Sequence, residues 1–279
     1  MTLKKILAIL CVFALQSIFG WGTQLAYSVG AVEDGLVAYW SFDKDTVDIK
    51  KQATDVLNGL EAIVNGDPEL APAADCKVGE CLLLDGSVDY LLVEDANPAI
   101  IDRDWDEITL ECWVLVNALD DSWNRIISLD NMPTNSMVAT LYYDDDDNRH
   151  NFWVKAGKGN TDAASHDLKE DIPTEEWLHL VGTYDGDMVH YYINGKLENK
   201  YSIKAGSLTK GGLLLGIGDR SDGCDCDTVQ AYIDEVRIYE RALSAAEVDN
   251  NFRSEGLAVS PSSNKLSVTW GTIKTTRSR

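Results

Sequence analysis

Residues 175–197 read EEWLHLVGTYDGDMVHYYINGKL, and this stretch decides the fold class of the chain. It contains two segments rich in strand-forming residues, WLHLVGTY and MVHYYI, each followed by a turn signal, first Asp185-Gly186 and then Asn194-Gly195. An Asn-Gly pair between strand-like segments is a strong hairpin signal, because both central residues of the tight turn need a positive φ. The stretch therefore predicts three antiparallel strands in succession.

Short strands separated by turn signals fill most of the remaining chain. Residues 108–116 (ITLECWVLV) alternate between two faces of a strand, and residues 244–251 predict one short helix, because Ser244 and Glu247 match a capping box. Further strands are predicted at residues 35–42, 81–84, 90–93, 125–129, 137–143, 151–154, 213–217 and 232–239. This pattern predicts an all-β, antiparallel two-sheet sandwich with one short C-terminal helix.

Five segments, taken in order, resemble the laminin-G-like and concanavalin A-like jelly-roll domains. They are residues 35–43 (GLVAYWSFD), 82–93 (LLLDGSVDYLLV), 108–114 (ITLECWV), 175–197 and 232–248 (YIDEVRIYERALSAAEV), so the resemblance runs from about Gly35 to Phe252. It implies a jelly roll of two curved sheets in which strands from both ends of the chain lie close together. It does not imply one function, since members bind sugars or proteins, act as adhesive modules or accompany enzymes.

The two ends of the chain differ from the middle. A basic start followed by an apolar run over residues 6–19 predicts a secretory signal peptide over residues 1–28. The apolar run is shorter than the ~20 residues that a membrane-spanning helix needs, so we expect no membrane span after cleavage. The jelly-roll domain is then predicted over residues 29–256, followed by a basic, Ser/Thr-rich flexible tail over residues 257–279, in a secreted or cell-surface protein.

The net charge of −22 is concentrated in the middle of the chain, because all 46 acidic residues lie between residues 31 and 259. Such a surface repels phosphate backbones, so nucleic acid is not predicted as a partner. It suits calcium, which prefers carboxylate and carbonyl oxygens and is abundant outside cells. Solubility alone is the alternative explanation for the charge.

Asp234 is the most informative acidic residue. In strict strand alternation it shares a face with the apolar Val236 and Ile238, and a carboxylate on an apolar face needs a compensating partner. The resemblance implies a structural calcium near the meeting of the first and last strands, which makes Asp43 and Asp234 the expected metal ligands. A hydrogen-bonded turn acid or a salt bridge to a neighbouring arginine is the alternative.

Two acidic loops and four aromatic residues are the candidates for contacts with a ligand. The consecutive aspartates of residues 144–147 form either a solvated loop tip or a second calcium loop. The loop over residues 219–227 poses the same choice and contributes Asp222, Asp225 and Asp227 as candidate ligand-binding residues. Aromatic faces stack on sugar rings, so the candidate sugar platforms are Tyr142, Tyr143, Trp153 and Tyr192.

The cysteines predict one small disulfide loop. Cys76 and Cys81 flank a four-residue segment that can turn, and an exported protein can form disulfides. Cys112 lies in a strand-like run and is expected to pack as a small apolar residue. Cys224 and Cys226 are too close together for an unstrained bridge, so each either pairs elsewhere or stays reduced.

Motifs for catalysis are missing from the sequence. The alternating acidic motif of the related glucanases (E-x-D-x-x-E) has no copy, and the four histidines accompany no nucleophile signature. The sequence therefore predicts a non-catalytic, exported recognition module that binds carbohydrate, or a surface protein, through rim loops. The alternatives are a structural or adhesive component of a surface assembly, and a glycoside-active enzyme that lacks the usual motif.

Overall fold

The structure is a computed structural model of the chain. It describes residues 30–93, 100, 103–118, 123–131, 136–144, 149–156, 161–164, 173, 175–204, 206–208, 213–221 and 227–254. Within these residues the fold is all-β, with two antiparallel sheets and a single short helix, as predicted. No helix in this part of the chain is long and apolar enough to cross a membrane. The predicted signal peptide and tail lie outside the described residues.

The first sheet, called here the eight-stranded sheet, contains both the first and the last strand. Its strands are β1 (Leu36–Trp40), β5 (Glu69–Ala71), β6 (Cys81–Asp85), β8 (Ile108–Ala118), β13 (Leu178–Tyr184), β14 (Met188–Ile193), β15 (Lys196–Ser202) and β17 (Gln230–Tyr239). They follow the order β15-β14-β13-β8-β17-β6-β5. Strand β6 pairs with the first half of β17, and β1 pairs with its second half. The two ends of the domain therefore meet in one sheet, as the family resemblance implied.

The second sheet, called the nine-stranded sheet, is built from the other strands of the described chain. These are β2 (Val47–Asp48), β3 (Gln52–Thr54), β4 (Glu61–Asn65), β7 (Tyr90–Val93), β9 (Trp123–Asn131), β10 (Ser136–Asp144), β11 (Arg149–Ala156), β12 (Thr161–Ala164) and β16 (Leu213–Ile217). Their order is β12-β11-β10-β9-β16-β7-β4-β3-β2. Strands β9, β10 and β11 are long neighbours, so residues that alternate along them form a continuous outer surface.

The meander predicted from residues 175–197 is present. Strands β13, β14 and β15 pair in sequence, and the turn between the last two has φ of 51° at Asn194 and 76° at Gly195. Glycine adopts this left-handed conformation without the steric cost that a side chain brings. The Asn-Gly signal therefore predicted both the position and the geometry of the turn.

The hydrophobic core lies between the two sheets. Alternate residues of β8, among them Ile108, Leu110 and Cys112, are fully buried in it, as the alternating pattern predicted. Leu141 of β10 and Phe152 of β11 enter the same core from the nine-stranded sheet. Burial of these side chains supplies the main driving force for packing the sheets face to face.

Helix α1 (Ala245–Phe252) covers the outer face of the eight-stranded sheet. Ser244 caps it, and Glu247 completes the capping box that the sequence predicted. Its buried Val248 packs with Val181 of β13 in a second, smaller hydrophobic cluster. Both faces of the central strands of this sheet are therefore buried.

Gly182 lies at a close approach of the two sheets. It lies on the inner face of β13, and a Cβ atom built on it would come within 2.2 Å of the Phe152 ring. The φ angle is not what requires glycine here, because the residue is in ordinary extended backbone. The missing side chain makes room for an aromatic ring of the opposite sheet.

We expect Gly182→Ala to destabilise the fold by about 1–3 kcal/mol, because the added methyl group overpacks the core against Phe152. Urea unfolding of Gly182→Ala, of Phe152→Leu and of the double variant would measure the coupling energy between the two sites. The cost of the alanine should shrink in the Phe152→Leu background. An equal cost in both backgrounds would show that the ring is not the cause.

Candidate functional site

Three aromatic residues lie together on the outer face of the nine-stranded sheet and are called here the aromatic group: Trp123, Tyr142 and Trp153. Their inward-facing neighbours on β10 and β11, Tyr143 and Phe152, belong to the core, so alternation turns the group away from it. Trp123 stacks on Tyr142 with ring centroids 5.1 Å apart and a 15° angle between the rings, and Trp153 lies 6.3 Å from Trp123. Trp123 is 36% exposed and Trp153 is half-buried with its Nε1 atom buried, so both indole rings are partly exposed to solvent.

A polar network, named here the Arg125 network, lies beside the aromatic group on the same face. Arg125 donates from Nε to Asp227 Oδ2 (2.8 Å) and from Nη1 to Ser128 Oγ (3.2 Å). Ser128 in turn donates to Asp130 Oδ2 (2.7 Å), and the Arg125 guanidinium carbon is 5.9 Å from the centre of the Trp123 ring. Arg125 and Asp130 are almost completely buried, whereas the Asp227 side chain keeps some exposure. Arg125 therefore orients the Asp227 carboxylate through a hydrogen bond and packs near the Trp123 ring.

A glycine in β16 allows the segment that precedes Asp227 to lie on this face. A Cβ atom on Gly216 would come within 2.5 Å of the carbonyl oxygen of Asp219, so a side chain there would push the segment off the sheet. Ser221 donates to Asp130 Oδ2 from both its backbone nitrogen (3.1 Å) and its hydroxyl (2.9 Å). The Asp227 backbone nitrogen donates to Asp219 Oδ1 (3.2 Å), which ties the two ends of the segment together.

Three of the residues predicted to contact a ligand meet at this surface: Tyr142, Trp153 and Asp227. Tyr142 itself is almost fully buried beneath Trp123, so it supports a platform and is not one. The prediction missed Trp123, although it begins β9 and its exposure is large for a tryptophan. The start of a strand beside an acidic loop was the signal that could have identified it.

Tyr143 and Tyr192 are not part of this surface, which corrects their prediction as sugar platforms. Tyr143 is fully buried in the core, where its hydroxyl lies 2.9 Å from Nε2 of His150. Tyr192 is buried on the other sheet, in the cluster beneath helix α1. Neither ring has a face that a ligand can reach. Asp222, Asp225 and most of the acidic run at 144–147 lie outside the described residues.

The predicted disulfide between Cys76 and Cys81 is confirmed, and the two predicted metal ligands meet at the loop that it closes. Asp234 Oδ2 accepts hydrogen bonds from the backbone nitrogens of Lys77 (3.1 Å) and Val78 (2.8 Å). Asp43 Oδ1 accepts one from the backbone nitrogen of Glu80 (3.2 Å). The loop is therefore fastened to the first strand and the last strand by one carboxylate each.

Asp234 does not lie on the apolar face that strict alternation predicts. A β-bulge adds one residue to β17 between Asp234 and Arg237, with Glu235 at a φ of 55°. Asp234 lies directly opposite Trp113, on the outer face, while Ile233 and Val236 both point into the core. The bulge thus directs the carboxylate toward the disulfide loop.

One oxygen of the Asp234 carboxylate, Oδ1, is buried and makes no hydrogen bond within the described chain. Burial, together with the nearby charge of Glu235, raises the pKa of Asp234 to about 8. Among the described residues, no group of three or more His, Cys, Asp and Glu side chains is arranged to hold a metal ion. A cation at Asp234 would therefore need backbone carbonyl oxygens to complete its coordination.

A second buried polar network, called the Glu111 network, lies beneath helix α1. Glu111 Oε1 accepts from Arg237 Nη1 (2.8 Å) and lies 3.2 Å from His179 Nε2, while its Oε2 accepts from Asn251 Nδ2 of the helix (2.7 Å). Arg237 also pairs with Glu235. Burial alone would raise the pKa of Glu111, but the bond to His179 and the charge of Arg237 lower it to about 2. The sequence reasoning did not identify this network, although Glu111, His179 and Arg237 lie in the segments that carry the family resemblance.

A cleft of about 340 Å³ opens at the edge of the eight-stranded sheet. Its polar lining comprises Asp67, Glu69, Asp85, Asp89, Asn117, Gln230 and Tyr232. Asp89 is structural, because its carboxylate accepts from the backbone nitrogens of Asp67 (2.8 Å) and Asp85 (3.2 Å). Among the described lining residues only Tyr232 is aromatic, so the aromatic group presents the larger apolar surface to a sugar ring.

The family of this chain is shown by its sequence. The laminin G family model described as the concanavalin A-like lectin/glucanases superfamily matches residues 85–249, more than half of the chain. The chain therefore belongs to this superfamily. No curated protein sequence matches it.

Solved structures with the same fold include binding domains and an enzyme. Domain 4 of AbnA, a GH43 extracellular arabinanase from Geobacillus stearothermophilus, in complex with arabinotriose, is 20% identical with a TM-score of 0.58, covering 77% of this chain and 97% of that domain. The botulinum neurotoxin serotype D ligand-binding domain in complex with N-acetylneuraminic acid is 14% identical with a TM-score of 0.56, covering 78% of this chain and 50% of that one. Trypanosoma rangeli sialidase is 18% identical with a TM-score of 0.58, covering 81% of this chain and 34% of that one. At these identities the similarity establishes the fold.

We expect Glu111→Gln to lower the free energy of unfolding by about 3 kcal/mol, because it leaves the buried Arg237 with one carboxylate partner in place of two. Glu240→Gln is the matched control. Glu240 pairs with Arg103 at 2.6 Å but is half exposed, so its loss should cost less than about 1 kcal/mol. Chemical denaturation of both variants measures the difference, and equal costs would contradict a structural role for the Glu111 network.

Proposed function

We propose that this protein is an exported, non-catalytic recognition module that binds carbohydrate on the outer face of its nine-stranded sheet. The observation that carries the proposal is the aromatic group, with the exposed Trp123 stacked on Tyr142 and flanked by Trp153. Sugar rings have apolar faces that pack against aromatic rings, and hydroxyl groups that need polar partners. The surface offers both, since the partly exposed Asp227 pairs with Arg125, whose guanidinium carbon lies 5.9 Å from the centre of the Trp123 ring.

The rigidity of this surface supports binding. Asp227 is held by Arg125, and Arg125 by Ser128 and Asp130, so this carboxylate is fixed in place before a ligand binds. A preorganised site loses less conformational entropy on binding than a flexible one. The proposed platform belongs to a sheet and adds to the rim loops through which the sequence predicted binding.

Several further observations support this class of function. The superfamily is that of lectins and glucanases, and two of the similar structures hold arabinotriose and N-acetylneuraminic acid. The Cys76–Cys81 disulfide suits a protein outside the reducing cytosol. In the described chain, His150 and His179 are buried and each contacts a core or network residue, so their bonding is structural.

A panel of polysaccharides incubated with the protein should release no sugar, and release would contradict the non-catalytic assignment.

We expect Trp123→Ala to weaken glycan binding about tenfold or more, because the loss of one stacked ring removes at least about 1.4 kcal/mol. A glycan array identifies the ligand, and calorimetry on the wild type and the variant measures the change. Trp177→Ala is the matched control. This tryptophan is also half-buried, but it lies near Tyr232 of the eight-stranded sheet, away from the aromatic group. Loss of binding in both variants would indicate a general effect on folding and would argue against the Trp123 platform.

A calcium ion at Asp43 and Asp234 is a second part of the proposal. The buried Asp234 Oδ1 has no hydrogen-bond donor in the described chain, and a carboxylate oxygen without a donor is well suited to a cation. Asp43 and Glu235 add negative charge to the same region, as the raised pKa of Glu235 reflects: burial is its first cause and the charge of Asp43 contributes. The ion would hold the disulfide loop against the first and last strands.

The calcium proposal predicts a thermal shift. We expect millimolar calcium to raise the melting temperature by about 5 °C or more over the value in EDTA, because a ligand that binds only the folded state stabilises it. Asp234→Asn should abolish this shift, whereas Asp48→Asn, at an exposed position next to a turn, should keep it. A wild-type melting temperature that is equal in calcium and in EDTA would overturn the proposal.

A further inference from the structure

A buried histidine lies in the hairpin that carries two members of the aromatic group. His150 of β11 is 2% exposed and lies directly opposite Tyr143 of β10, on the inner face that Phe152 shares. Tyr142 and Trp153 belong to the same two strands and point to the outer face. We infer that this hairpin is an acid-sensitive switch, in which protonation of His150 in mildly acidic solution opens β10 and β11 and takes the aromatic group apart. The loss of carbohydrate binding that would follow rests on the proposed function.

The imidazole of His150 is bonded through one nitrogen only. Its Nε2 lies 2.9 Å from the hydroxyl oxygen of Tyr143, and the centroids of the two rings are 3.9 Å apart. Its Nδ1 is buried and makes no hydrogen bond within the described chain. A neutral imidazole carries one N–H, whereas an imidazolium carries two N–H donors and a full positive charge. Protonation would therefore bury a charged donor that has no acceptor among the described residues, and burial of such a group is costly.

The described groups around the pair of His150 and Tyr143 are neutral in mildly acidic solution. Tyr143 interacts electrostatically with Tyr191 of β14 and with the thiol of Cys112 in β8, and Asn124 of β9 lies opposite it in the ladder. Burial raises the pKa of Tyr143, of Tyr191 and of the Cys112 thiol, so all three keep their protons. None of these groups can supply the negative charge that would stabilise a buried imidazolium.

Burial therefore opposes the protonation of His150. It lowers the pKa of His150 to about 3 from the ordinary value of 6.5. The carboxylates Glu111 and Glu198 act on Cys112 and Tyr191 instead. Because the pKa in the folded state lies below that in the unfolded state, the open form binds more protons than the closed form. The stability that a neutral His150 permits is thus fully present above pH 6.5 and is lost as the pH falls toward 3.

The position of His150 directs this response to the proposed binding surface. Strands β10 and β11 lie toward one end of the nine-stranded sheet, in the order β12-β11-β10-β9. Elements at the periphery of a fold open at a lower free energy than its central strands, so they respond first when a destabilising charge is added. Opening of the hairpin would separate Tyr142 and Trp153 from Trp123 of β9, and the stack of rings would be lost.

The first test compares the pH dependence of stability in the full-length wild type and in His150→Gln, whose amide takes up no proton. Urea unfolding at each pH measures the folding equilibrium constant. We expect this constant to fall by about thirtyfold more in the wild type than in the variant between pH 7.5 and 5, as one group with these two pKa values requires. His190→Gln is the matched control, because His190 is half-buried in β14 of the other sheet, and it should follow the wild type. The same pH dependence in the wild type and in His150→Gln would overturn the inference.

A second test needs no variant. NMR titration of the imidazole rings in the folded wild type should show His150 neutral at pH 5. A carboxylate outside the described residues that paired with this ring would raise its pKa, so that it would titrate near or above 6.5. That result would also overturn the inference.

Hydrogen exchange and a glycan array separate this inference from the proposed function. From pH 7.5 to 5, we expect exchange in β10 and β11, corrected for its intrinsic pH dependence, to increase more than exchange in β8 and β13. Glycan binding should weaken over the same range in the wild type and much less in His150→Gln. Equal increases of exchange in all strands, or glycan binding that is equal at both pH values, would overturn the switch. Binding of no glycan at either pH, with the exchange response present, would overturn the proposed function and leave the acid-sensitive hairpin intact.

Discussion

The buried ion pair between Glu111 and Arg237 is the interaction on which this arrangement of strands depends. It joins β8 to β17, the two central neighbours of the eight-stranded sheet, on the face that points away from the core. Buried charges are tolerated only when every partner is in place, so this face has to be covered by groups that complete the bonding. Helix α1 supplies Asn251 for Glu111, and β1 supplies Tyr39, whose hydroxyl donates to Glu235 (2.5 Å). The first strand, the last strand and the helix are thus held together by one polar network.

The covered face differs from the outer face of the nine-stranded sheet, which is the binding surface that we propose. The disulfide loop and helix α1 close the outer side of the eight-stranded sheet around Trp113, which contacts both Lys77 and Phe252. The nine-stranded sheet instead presents Trp123 and Trp153 at its outer surface, supported by the Arg125 network. One sheet therefore uses its outer polar residues for stability, and the other is the surface that we propose for recognition.

Local sequence signals predicted the turns, the helix cap and the strand faces correctly where the deciding residues are neighbours in the chain. The Asn194-Gly195 turn, the capping box at Ser244 and the alternation along β8 are each confirmed, because each depends on residues close together in the chain. The β-bulge at Glu235 was not predicted, since an extra residue in one strand depends on the partner strand and has no signature in its own sequence. It reversed the expected orientation of Asp234, although the residue itself was correctly singled out.

The sequence by itself determined that the chain is an acidic, antiparallel β-sandwich, that Cys76 and Cys81 pair, and which segments carry the resemblance to the superfamily. Only the tertiary structure decided which aromatic residues reach the surface, because strand alternation assigns two faces without saying which one meets the core. It separated Trp153 from the buried Tyr143 and Tyr192, and it brought in Trp123. It also showed that Arg125 pairs with Asp227, an acid that lies 102 residues further along the chain.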